Sequence, residues 1–142
     1  MSFSEEYVPT SSERMLLYRE LDGLERDEDV ELFRQRMIDR FGAIPPEGEE
    51  LIRVVKLRRL GRYFGCERIV LKSGRMRMQF VSNPNSAFYD SQAFRQVIAF
   101  ATTNAHNCRV DNSKDQFKLI ISDVTSVEQA NALLSQIKKI TQ

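Results

Sequence analysis

A chain of 142 residues with 42% hydrophobic and 29% charged side chains has the balance of an ordinary globular protein, expected to fold as one domain over residues 1–142. No apolar run approaches the roughly 20 residues of a membrane span, and Met1-Ser2-Phe3-Ser4 lacks the regions of a signal peptide; no membrane contact is expected, and the cytoplasm is the expected compartment. The net charge of +1 hides segregation: residues 1–31 hold ten acids against three bases, and residues 51–80 hold nine bases against Glu67 alone. Such blocks steer a charged partner, face each other within the fold, or are merely solvated.

Residues 10–65 carry helical period. Ser11 or Ser12 can cap a first helix reaching about Leu21, with Met15, Leu16, Tyr18 and Leu21 as its buried side. Asp27 can cap a second, with Val30, Phe33, Met37, Ile38 and Phe41 at one, three and four residue steps. The short link Asp22–Arg26 makes the two helices packing neighbours. Gly42 stands where a left-handed residue would close the second helix, and Pro45-Pro46 starts a third that Gly65 ends. On that third helix Arg53, Lys56 and Arg59 recur every three residues, while Gly61 inside it suggests a close crossing with another backbone.

From residue 67 the period falls to two. Ile69–Leu71 and Arg75–Val81 read as a β-hairpin around Lys72-Ser73-Gly74, with Met76, Met78 and Phe80 on one face and Arg75, Arg77 and Gln79 on the other. That alternation is what any one-sided sheet requires, so a half-buried strand with solvated basic side chains is the favoured reading, and a basic face along a phosphate backbone is the alternative. A helix over about Ser91–Thr102 follows, with Phe94, Val97, Ile98 and Ala101 inward. A second hairpin pairs Cys108–Val110 with Phe117–Ile121, and a last helix runs from about Ser126, with Thr125 and Glu128 as its capping box. The order predicts an α+β fold: three N-terminal helices (residues 10–65), then two ββα units (residues 67–142) forming an antiparallel sheet covered by helices.

Catalytic chemistry has little to stand on. No phosphate-binding glycine loop occurs, His106 has no sequence neighbour to form a relay, and acids such as Glu49-Glu50 sit in first turns of helices, where the macrodipole favours them. Cys66 and Cys108 are expected as reduced, buried thiols, too few with one histidine for a zinc site. The chain reads as non-enzymatic, with no cofactor and no metal. Arg53, Lys56 and Arg59, with Arg75 and Arg77, are candidates for weak, sequence-independent phosphate contact, though Tyr63 and Phe64 do not form a stacking platform.

The stretch Asp39-Arg40-Phe41-Gly42-Ala43-Ile44-Pro45, with Tyr7-Val8-Pro9, Arg14 and Tyr18-Arg19 upstream and the Leu51–Gly65 helix downstream, resembles the C-terminal (TRCF) domain of bacterial transcription-repair coupling factor. The likeness is specific over residues 7–69 and loose beyond. It implies a fragment of a much larger DNA-translocating, ATP-dependent repair protein. It further implies a regulatory role for this domain: packing on the UvrB-like module of its own chain and masking UvrA recruitment until a stalled RNA polymerase is engaged. DNA would be met through the parent protein. The expected contact residues are Asp39, Arg36 and Arg40. The family often places an acid three residues before this aspartate, facing arginines on the module. Arg36 breaks that pair, so either the partner surface is altered to match or Asp39 carries the contact with acids elsewhere, such as Glu31 or Asp29. The competing assignment is that Asp39 pairs with Arg36 or Arg40 on its own helix.

Overall fold

The computed structural model describes residues 1–141. Three helices, α1 (Ser11–Asp22), α2 (Asp27–Phe41) and α3 (Pro46–Tyr63), are followed by strands β1 (Cys66–Lys72) and β2 (Arg75–Phe80). Helix α4 (Gln92–Thr103), strands β3 (Cys108–Asp111) and β4 (Lys118–Ser122), and helix α5 (Val127–Lys138) complete the α+β fold. A short 3-10 turn over Ala87–Asp90, absent from the sequence reading, precedes α4. The chain divides into two compact units, Met1–Arg59 and the part from Leu60 onward.

In the first unit Phe3, Val8, Leu21, Phe33, Met37 and Val55 are fully buried and form the core. The inward side of α1 differs from the expected one. Met15 and Leu16 are 56% and 64% exposed, and Leu17 packs against the core instead. Four successive apolar residues, 15–18, circle the helix, so spacing alone leaves its inward side open. Neither α1 nor α2 has a side-chain N-cap: Thr10 and Arg26 hold those positions. Gly42 closes α2 at φ 89°, ψ −173°, outside the left-handed helical region but still accessible at low cost only to glycine.

The second unit has a four-stranded antiparallel sheet in the order β1-β2-β4-β3. The β2 alternation is as expected: Met76, Met78 and Phe80 are wholly buried while Arg75 and Arg77 are exposed. Leu119 and Ile121 of β4 pair with Met78 and Met76 and share the buried face. Aromatic contacts fix α4 over that face, with Phe80 meeting Phe88 and Phe117, and Phe94 meeting Phe117. Gln96 rather than Ile98 is buried on α4. Its amide donates to the carbonyls of Lys138 and Ile140 at 2.8 and 3.0 Å and accepts from the Tyr63 hydroxyl, which ties the end of α5 to α4. Ser126, not Thr125, caps α5 by accepting the Gln129 N–H, and the Gln129 side chain accepts from Thr125 N–H and Oγ1. What Gly61 admits is a side chain and not a backbone: a Cβ there would lie 3.0 Å from Ile69 Cδ1.

Candidate functional site

The residues that carry the resemblance build the end of α2. The Tyr7 hydroxyl donates to the carbonyl of Gly42 at 2.8 Å and more weakly to that of Met37 at 3.3 Å, holding the last turn of the helix. Burial, then the Glu49 carboxylate, pushes the Tyr7 phenol above its ordinary pKa, so it stays a donor. Arg14 clamps the chain before α1 by donating to the carbonyls of Val8 and Pro9 at 2.8 and 3.0 Å. Tyr7 and Arg14 thus frame the motif, their polar ends spent on backbone carbonyls.

On that frame Arg36 and Arg40 turn to α1, not to their own helix. Arg36 pairs with Glu20 and Arg40 with Glu13, and their guanidinium carbons lie 5.7 and 4.9 Å from the ring centres of Phe33 and Phe41. Between the two ion pairs lies a cavity of about 170 Å³ lined by Leu17, Phe33, Met37 and Phe41. Asp39 stands about 60° around the helix from Arg36 by helical geometry. It is exposed and forms no hydrogen bond or ion pair among the described residues. The pairing of Asp39 with Arg36 or Arg40 is therefore not formed.

The alternative acids are occupied. Glu31 accepts from Gln35 and Arg34, which hold its carboxyl below the usual range. Arg34 also binds Glu49 at 2.6 Å, and Asp29 lies 3.6 Å from Arg26. Of the acids singled out on α2, Asp39 alone is uncommitted. Glu13 and Glu20 were missed as partners of the arginines, and the acid-rich run of residues 1–31 was the only signal for them.

The basic row of α3 is likewise spent inside the first unit. Lys56 and Arg59 both reach Asp27 at 3.3 Å, Arg59 donates to the Leu24 carbonyl at 2.8 Å, and Arg58 donates to the Tyr18 hydroxyl at 2.5 Å. Arg53 pairs with Glu50 one turn earlier. Here the acidic and basic blocks meet at Asp27, and the three residues proposed for phosphate contact are engaged with protein groups. Cys66 and Cys108 are free thiols, half-buried rather than buried, and burial pushes the Cys66 thiol up to about 12. His106 is exposed between α4 and β3, and no group of three or more metal-ligating side chains occurs among the described residues.

The model of the TRCF domain family matches residues 1–91, the part that holds this frame. The chain belongs to that family. Over 136 residues it is 29% identical to the transcription-repair-coupling factor of Rickettsia bellii (strain RML369-C) and 26% identical to that of Rickettsia conorii (strain ATCC VR-613 / Malish 7). Each alignment takes in 94% of this chain and 11% of the relative, so the chain spans about a tenth of the length of these curated relatives. A crystal structure of the C-terminal domain of transcription-repair coupling factor shares the fold, with a TM-score of 0.68 at 15% identity over 99% of this chain and 89% of that one. The TRCF frame therefore spans the acid block, the Tyr7 latch and the Asp39 turn, and the ββα half follows the same fold.

Proposed function

We propose that this TRCF domain is a regulatory docking domain of a transcription-repair coupling factor, binding an arginine-bearing surface on the UvrB-like module of its parent chain. Docked, it masks the surface that recruits UvrA; engagement of a stalled RNA polymerase releases it. The observation that carries the reading is Asp39: an exposed carboxylate without a partner, beside two arginines already held by α1. Leu16, 64% exposed and one turn from both Glu13 and Glu20 on α1, adds an apolar contact to a polar rim. A contact of this polarity suits an intramolecular interface that must open.

The Arg36 substitution fits the same picture. The acid that the family often carries there is replaced by a base that Glu20 neutralises, so Asp39 faces the partner without a bare positive neighbour. The test is binding of the domain to the UvrB-like module supplied in trans. Asp39→Arg weakens it by about 1 kcal/mol if the contact is at a rim, or by about 2–5 kcal/mol if it is desolvated. A compensating Arg→Asp change on the module restores it. Unchanged affinity for Asp39→Arg would remove this residue from the interface.

A further inference from the structure

We propose that the open face of the β-sheet is a docking surface for the phosphate backbone of nucleic acid, read without regard to sequence. The proposal is independent of the Asp39 contact. Helices α4 and α5 belong to the face that bears Met76, Met78, Phe80, Leu119 and Ile121; on the opposite face Arg68, Lys72, Arg75, Arg77 and Arg109 are exposed. Register sets its composition. Val70, Arg77, Ile120 and Arg109 are successive partners across all four strands. One row along, Lys72 pairs with Arg75; on the other side the row runs Arg68, Gln79, Lys118, Asp111. Six bases therefore share one face with Asp111, while Glu67, in the β1 bulge at the end of the Arg68–Gln79 pair, is held by Gln116, which also accepts from the Gln79 amide.

Asp111 offsets them only in part: the Ser113 bonds chiefly hold its carboxyl below the usual range, with attraction to Lys118 and Arg109 adding to them. The Asp111 carboxylate accepts the Ser113 N–H at 2.9 Å, and none of the six bases enters an ion pair among the described residues. Lys72, Arg75, Arg77 and Arg109 surround a shallow depression of about 270 Å³ floored by Val70 and Ile120. Lining up like charges on neighbouring strands opposes folding, so an anionic partner relieves a cost that the fold carries.

The chemistry of the face selects nucleic acid over an acidic protein. Four of the six bases are arginines, whose planar fork matches phosphate oxygens in pairs. The face offers two aliphatic side chains and no aromatic one, so it lacks the anchors that dominate protein interfaces. For the same reason it has no platform for stacked bases and contacts the backbone alone.

The experiment is fluorescence anisotropy of a short, mixed-sequence, labelled DNA duplex titrated with the 142-residue chain between about 50 and 200 mM salt. We expect a Kd of roughly 10⁻⁵ M at physiological salt and a log–log salt slope near −3.6, as for about four phosphates neutralised. The double variant Arg77→Gln/Arg109→Gln lowers the slope by about 1.8 and the low-salt affinity by roughly tenfold. Arg77→Glu/Arg109→Glu abolishes binding, while Lys139→Gln beyond α5 leaves it unchanged; unaltered circular dichroism shows that the variants are folded. No salt-sensitive binding, or binding indifferent to the Gln pair, overturns the proposal. Equal competition by polyglutamate at matched charge overturns it in favour of an acidic protein partner.

Discussion

The two units contain the same kind of charge and treat it in opposite ways. In the first, the bases of α3 and α2 are matched across helices: Lys56 and Arg59 with Asp27, Arg34 with Glu49, Arg36 with Glu20, Arg40 with Glu13. In the second, the bases of β1, β2 and β3 stand in rows that hold Asp111 as their acid, and none of these bases enters an ion pair among the described residues. A basic count along the sequence is the same signal in both. What separates them is geometry, because helices brought side by side can present acids to bases, whereas a one-sided sheet sends alternate residues to solvent together. Internal pairing marks a structural use of charge; rows left unmatched mark a surface that awaits a partner.

The largest expected effect concerns the buried side of that sheet. Phe80 is fully buried against two rings, so Phe80→Ala should cost about 3–5 kcal/mol in urea unfolding. A loss below 1 kcal/mol would mean that the β2 alternation does not mark an inner and an outer face. The two positive-φ glycines that end the helices α2 and α3 sharpen the contrast between units. At Gly65 (φ 66°) a Cβ would lie 2.6 Å from the Phe88 ring; at Gly42 (φ 89°) it would meet nothing within 4 Å. Gly65→Ala thus adds a clash of about 1–3 kcal/mol to the backbone strain that Gly42→Ala carries alone. Equal melting shifts for the two variants would contradict the packing at Gly65.

The smallest effects separate the two uses of arginine. Arg59 has a side chain only 13% exposed, and Arg59→Ala removes its bond to the Leu24 carbonyl along with the Asp27 pair. We expect a loss of about 1–2 kcal/mol from the charged hydrogen bond, discounted for the exposed Asp27 partner. Arg77→Ala, on the basic sheet face, should stay within about 0.5 kcal/mol of the parent chain or stabilise it. If Arg77→Ala costs more than Arg59→Ala, the distinction between matched and unmatched charge fails.

Much of the fold was legible because its signals are local. Met76-Arg77-Met78 announces one inner and one outer face in three residues, and Gly42 and Gly65 mark helix ends that only glycine completes cheaply. The errors share a cause: they depend on what packs from elsewhere. Leu16 and Leu17 are equally apolar, and the position of α2 puts Leu17 inside. Ile98 looked inward on α4, yet Gln96 is buried, because the carbonyls of Lys138 and Ile140 lie more than 40 residues away to receive it. Thr125 and Ser126 both suit a cap, and Gln129 decided between them. At the candidate site the sequence led to Arg36, Asp39 and Arg40 but not to their states: Glu20 and Glu13 lie 16 and 27 residues from the arginines that they hold.

The central claim, that the Asp39 turn is the face offered to the parent chain, is tested most directly by amide chemical-shift mapping of the ¹⁵N-labelled domain titrated with the UvrB-like module. The account predicts perturbations concentrated at Arg36–Phe41 and along Glu13–Glu20, with the amides of β2 and β3 unmoved. Perturbations concentrated on the sheet, with the Asp39 turn silent, would contradict it.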